Sequence, residues 1–196
     1  MKRVLLLHII LITLGAYSLI SFKNVNHIPV SKKECATSVD TFPVPPLSDK
    51  TLFYIQRTHN TNTIVYNINT GKDGEIDPSA PVKIFWIRYA EKGDTAELSY
   101  IQRHYAYGVE SKLMDANKKS YRLNFVSYEK RDIYLMKSSL ENKYHAYISI
   151  NGKLSVLYKI FVKIEGGSFW IPHIKYVEIT GKDIANGKTV SERFTP

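Results

Sequence analysis

From residue 51 onward the chain is a succession of short runs rich in β-branched and aromatic residues, separated by turn residues, and this pattern predicts strands. The predicted strands span residues 52–57, 63–69, 82–89, 121–128, 133–137, 144–150, 154–165, 173–180 and 189–194. The first two form a hairpin across Thr58-His59-Asn60-Thr61-Asn62, whose asparagines tolerate turn geometry. In the third, Val82, Ile84 and Trp86 alternate with Phe85, Ile87 and Tyr89, so both faces are apolar and the strand is expected to be central. One helix is predicted over residues 94–108: Asp94 and Glu97 are spaced as a capping box and Gly108 suits a left-handed end. Leu98, Ile101, Tyr105 and Val109 then share a face that would lie on the sheet. At Asn151-Gly152 a two-residue loop would set Ile148 against Ser155. A three-residue loop with a bulge at Gly152 sets Ile148 against Leu154 and Ala146 against Val156, and is the expected register. Strands far outnumber helices, so the fold class is mainly β: an antiparallel β-sandwich or barrel with one amphipathic helix packed on it.

The first 50 residues follow another pattern. In residues 1–22, Lys2 and Arg3 precede an apolar run with no acidic residue, the composition of an export signal. Ala16-Tyr17-Ser18 offers small residues for cleavage, while residues 4–22 just reach the length of a membrane span, so a cleaved signal peptide and an uncleaved anchor both stand open. Residues 23–50 show no sustained periodicity and contain Phe42-Pro43-Val44-Pro45-Pro46, which cannot donate ladder hydrogen bonds; they read as a flexible tether. Residues 51–196 are then a single domain, and a chain starting near Ser48 is expected to fold. Cys35, the lone cysteine, falls in the tether, and Lys32-Lys33-Glu34 before it does not fit a lipidation signal.

Leu52-Phe53-Tyr54-Ile55-Gln56-Arg57, Asn60-Thr61-Asn62-Thr63-Ile64-Val65-Tyr66, Pro81-Val82-Lys83-Ile84-Phe85-Trp86-Ile87, Ala106-Tyr107-Gly108 and Tyr176-Val177-Glu178-Ile179 together resemble a bacterial family catalogued as domain of unknown function 4833. The resemblance extends over about residues 51–196. It implies a bacterial exported protein, with no activity, cofactor or catalytic residue to carry over.

Chemistry-bearing motifs are scarce. A single cysteine excludes an internal disulfide framework, and no Cys/His spacing follows a zinc pattern, so no metal or other cofactor is expected. Gly166-Gly167-Ser168 lacks the second glycine of a nucleophile elbow and reads as a turn. The net charge is +9, and removal of residues 1–22 takes away Lys2 and Arg3 but no acid, leaving +7. Export directs such a charge toward anionic envelope glycans or lipid headgroups rather than nucleic acid, for which no motif is present.

Arg57 follows Phe53 and Ile55 on one strand face, as Arg88 follows Ile84 and Trp86, whereas Arg103 points away from the apolar helix face into solvent. The expected ligand site is the rim where the first hairpin meets the end of the third strand, formed by Arg57, Asn60, Asn62 and Arg88 and suited to a carboxylate, phosphate or sugar acid. The two functional readings are a non-catalytic binding or structural domain in the periplasm or at the cell surface, and an envelope hydrolase of glycan or lipid. The hydrolase would need residues such as His59, His173, Glu97 or Glu129 to be brought together; His145 is expected to be a partly exposed packing residue.

Overall fold

A computed structural model describes residues 42–117, 119–168 and 171–196. The leader at residues 1–22 and Cys35 lie outside these residues. Eleven strands form one curled sheet: β1 Thr51–Arg57, β2 Asn60–Ile68, β3 Val82–Arg88, β4 Asp94–Glu97, β5 Val109–Asp115, β6 Ser120–Phe125, β7 Tyr128–Lys137, β8 Tyr144–Ile150, β9 Lys153–Gly167, β10 Pro172–Asp183 and β11 Thr189–Phe194. Nine run in the order β4-β3-β2-β1-β9-β8-β7-β6-β5 and curl into a half-barrel, while β10 pairs along β9 and carries β11. The mainly-β prediction holds, with one exception to antiparallel pairing: β1 runs parallel to β9, with Tyr54 opposite Lys159 and Arg57 opposite Val162.

The concave face carries the main core. Phe53, Ile55, Ile64, Tyr66, Ile84 and Trp86 from β1–β3 meet Leu123, Leu135, Ile148 and Leu157 from the strands opposite. Period-two alternation sends Tyr54, Val65 and Ile87 to the convex face, where with Phe85 and Tyr89 they make a second, smaller cluster. This second cluster explains why β3 is apolar on both sides. The strand is not central: it lies next to the β4 edge, and its outer face is buried by the convex cluster.

Part of the segment read as tether lies against that convex face. Buried Gln56 donates through Nε2 to the Pro43 carbonyl at 2.7 Å, and Phe42 meets Phe161 edge-on with centroids 5.2 Å apart. Prolines cannot donate, so this strap contributes carbonyl acceptors, and Gln56 at the end of an otherwise apolar run supplies the matching donor. Starting the chain at Ser48 instead of Phe42 removes that bond and one aromatic pair. The shorter chain is expected to keep its fold but lose about 1–3 kcal/mol, read as a lower urea midpoint at unchanged slope.

Two local expectations are corrected. Residues 94–97 form edge strand β4, with Ala96 opposite Trp86, because Lys92 and Gly93 both adopt left-handed geometry and turn the chain back onto β3. The helix α1, Tyr100–Tyr105, starts later: Ser99 accepts from the Gln102 backbone and the Gln102 side chain accepts from the Ser99 backbone, which is the capping box that forms. None of its residues is buried, so it borders the sheet instead of lying on it. At Asn151-Gly152 the two-residue loop wins: Ile150 pairs with Lys153 and Ile148 with Ser155, with φ of 49° and 74° at the loop residues, as a type I′ turn requires. Ser155 is tolerated inside because its hydroxyl donates to the Lys153 carbonyl, while Leu154 turns outward.

Candidate functional site

The concave face holds an open trough beside the core. There β9 continues past its pairing with β8, and Ile160, Val162 and Ile164 on it face Ile174, Val177 and Ile179 on β10. Ile133 and Ile148 form the base between them, and Phe125, Tyr128 and Phe194 close the far side. The result is a trough of about 890 Å3, bordered mainly by aliphatic and aromatic side chains.

α1 stands at its mouth with Ile101 and Tyr105 on the border, both exposed, Tyr105 at 69%. Three bonds fix this corner. Trp86 Nε1 donates to Gln102 Oε1 at 3.2 Å, Ser127 Oγ to the Ala106 carbonyl at 2.6 Å, and buried Tyr66 through its hydroxyl to the Tyr107 carbonyl at 2.7 Å. The helix thus sits over the trough because its capping glutamine also holds the core tryptophan.

Charged groups on the border are few. Arg57 projects from the end of β1, its guanidinium 5.9 Å from the centroid of Trp86, and its buried Nε has no hydrogen-bond partner. Tyr107 lies beside it; burial pushes the phenol up, and the Arg57 charge acts against that shift. Arg131 donates to Glu192 and lies 4.4 Å over the Phe194 ring. Glu192 is held below the usual carboxylate range by that hydrogen bond, opposed by burial and aided by the Asn151 backbone N–H at 2.7 Å. No aspartate or glutamate lines the trough among the described residues.

Of the four residues expected to form a rim site, only Arg57 borders the trough. Arg88 reaches the same end of the sheet but pairs with Glu91 at 2.6 Å, and its buried Nε is unpartnered. Asn60 Oδ1 accepts from the Asn62 backbone at 2.7 Å, and Asn62 Oδ1 accepts from the Ala90 backbone at 3.0 Å, so both side chains hold turns. His59 borders the trough, whereas His173 contacts the Glu165 carbonyl, and neither Glu97 nor Glu129 is among the lining residues. His145 is partly buried and pairs with Glu141 at 2.8 Å, away from the trough. Among the described residues no group of three or more His, Cys, Asp or Glu could hold a metal ion, and no helix is long and apolar enough to cross a membrane.

Sequence reasoning missed the trough because it read residues 154–165 and 173–180 only as strands, without asking what covers their apolar positions. The signal was present in length: alternation over 154–165 and 173–180 outruns the partner strands available to cover it. Residues 53–193 match the model of a family described as domain of unknown function (DUF4833). No curated protein and no solved structure matches.

Proposed function

The chain belongs to the domain of unknown function (DUF4833) family, and from that premise we propose that it is an exported bacterial envelope protein that binds an apolar ligand in its trough without transforming it. The observation that carries this reading is the trough itself, about 890 Å3 of space walled by isoleucine, valine and aromatic side chains inside a folded domain. Volumes of about 300–1,000 Å3 accommodate small molecules, and each Å2 of apolar ligand surface removed from water contributes about 25 cal/mol. Binding is favoured over hydrolysis because His59 on the border has no lining carboxylate to work with among the described residues. Export is supported by the basic end and acid-free apolar run of residues 1–22.

The test is a fluorescence titration of the purified protein with the neutral apolar probe N-phenylnaphthylamine. Saturable binding is expected, weakened at least tenfold in Val162→Trp, where the indole fills the trough from its β9 wall. A folded wild-type protein that takes up no probe would overturn the binding reading, and recovery of the protein only from the cytoplasmic fraction would overturn export.

A further inference from the structure

We propose that the ligand of this trough is an anionic amphiphile, an unbranched hydrocarbon chain ending in a carboxylate, with the carboxylate seated on the Arg57 guanidinium; this rests on the trough being a ligand site. Two arginines border the trough, and they are not equivalent. Arg131 already donates to Glu192 and covers Phe194, so its charge is matched within the protein. Arg57 has no carboxylate partner among the described residues, and its buried Nε is left without an acceptor. The planar fork of a guanidinium that borders an apolar trough matches a carboxylate in two parallel bonds. Tyr107, whose phenol is acted on by the Arg57 charge, lines the trough beside it and offers a hydroxyl as a further donor.

The rest of the border argues against a sugar acid. A glycan needs free hydrogen-bonding groups along its length, and here several of the polar side chains are engaged by the protein. Thr58 Oγ1 donates to the Ile164 carbonyl at 2.9 Å and accepts from its N–H at 2.7 Å. Gln102 Oε1 accepts from Trp86 and from the Ser99 backbone, and Ser127 donates to Ala106. Apart from His59, which follows closely after Arg57 in the chain, and the phenols of the lining tyrosines, the border offers the Arg57 cation and a wall of aliphatic and aromatic side chains, the complement of a single anionic head on a hydrocarbon chain.

The experiment displaces N-phenylnaphthylamine from the purified protein with four probes: dodecanoate, dodecanol, dodecyltrimethylammonium and phosphatidylglycerol. Dodecanoate is expected to displace at least tenfold more effectively than dodecanol, with the cation weakest. Arg57→Ala should abolish that tenfold preference with the far-ultraviolet dichroism unchanged, the variant's own N-phenylnaphthylamine affinity being titrated first so that the probes are compared at equal occupancy. Arg57→Lys, which keeps the charge and loses the fork, should retain part of the preference, and Arg103→Ala on the exposed side of α1 should retain all of it. Equal displacement by dodecanoate and dodecanol, or a preference that survives Arg57→Ala, would overturn this inference and leave the binding reading standing. Displacement by phosphatidylglycerol stronger than by dodecanoate would overturn the assignment to a single-chain acid. Absence of N-phenylnaphthylamine binding would overturn both readings together.

Discussion

Tyr66→Ala is expected to lower the free energy of unfolding by about 3–5 kcal/mol, read from a urea denaturation curve at constant slope. Tyr66 is fully buried on β2, stacked on Phe53 with centroids 4.4 Å apart and met edge-on by Phe125 at 5.8 Å. Removing the ring leaves a cavity among three strands that cannot all close in, because the backbone ladder β1-β2-β3 fixes their spacing. Tyr66→Phe separates the ring from its hydroxyl. It keeps the packing but leaves the Tyr107 carbonyl without its donor, at an expected cost of about 1–2 kcal/mol. If the two variants were equally destabilised, the hydrogen bond and not the aromatic cluster would be what holds this corner. Since Tyr107 stands beside Arg57 at the trough border, the phenylalanine variant also asks whether the core bond positions the binding wall.

Period-two alternation was enough to read the mainly-β class and strands such as β8, because one buried face, Ala146, Ile148 and Ile150, repeats the same signal along the strand. The failures occurred where two local signals competed. Asp94 and Glu97 are spaced as a capping box, yet so are Ser99 and Gln102; the backbone reversal at Lys92-Gly93 gives residues 94–97 to the β3 edge and leaves the later box to start α1. At Asn151-Gly152, matching apolar residues across the loop favoured a bulge, but the matched pair was not what had to be buried. Ile148 and Ile150 are inside, Leu154 is outside, and small Ser155 lies under Gly181.

Arg57 and Arg88 pose a comparable problem for the site. Both end an apolar strand face at one end of the sheet, and alternation cannot distinguish them. Their difference comes from Glu91, three residues after Arg88 in the turn to β4, and from the long-range placement of Tyr107 and Trp86 around Arg57. The trough was still less legible. It depends on how far β9 and β10 extend beyond β8, a property of the curled sheet and not of any one segment.

Gly181→Ala is expected to cost about 3 kcal/mol, a large effect for one methyl group. In the pairing of β10 with β9, Thr180 faces Lys159 and Gly181 faces Leu157, so Tyr158 is an extra residue on β9 and the two strands draw close beside it. A Cβ built on Gly181 would stand 2.6 Å from the Val156 carbonyl oxygen and 2.8 Å from Ile150 Cδ1. The isoleucine methyl can be removed and the carbonyl cannot, so Ile150→Val added to Gly181→Ala should recover only part of the loss in a thermal or urea melt. Complete recovery would show that the backbones have room to separate and that side-chain crowding alone calls for glycine. The same strand carries Ile179 and Val177 into the trough wall, two and four residues before Gly181. A folded Gly181→Ala variant should therefore also bind N-phenylnaphthylamine more weakly, because a backbone shift at the bulge moves that wall relative to Ile160 and Val162 on β9.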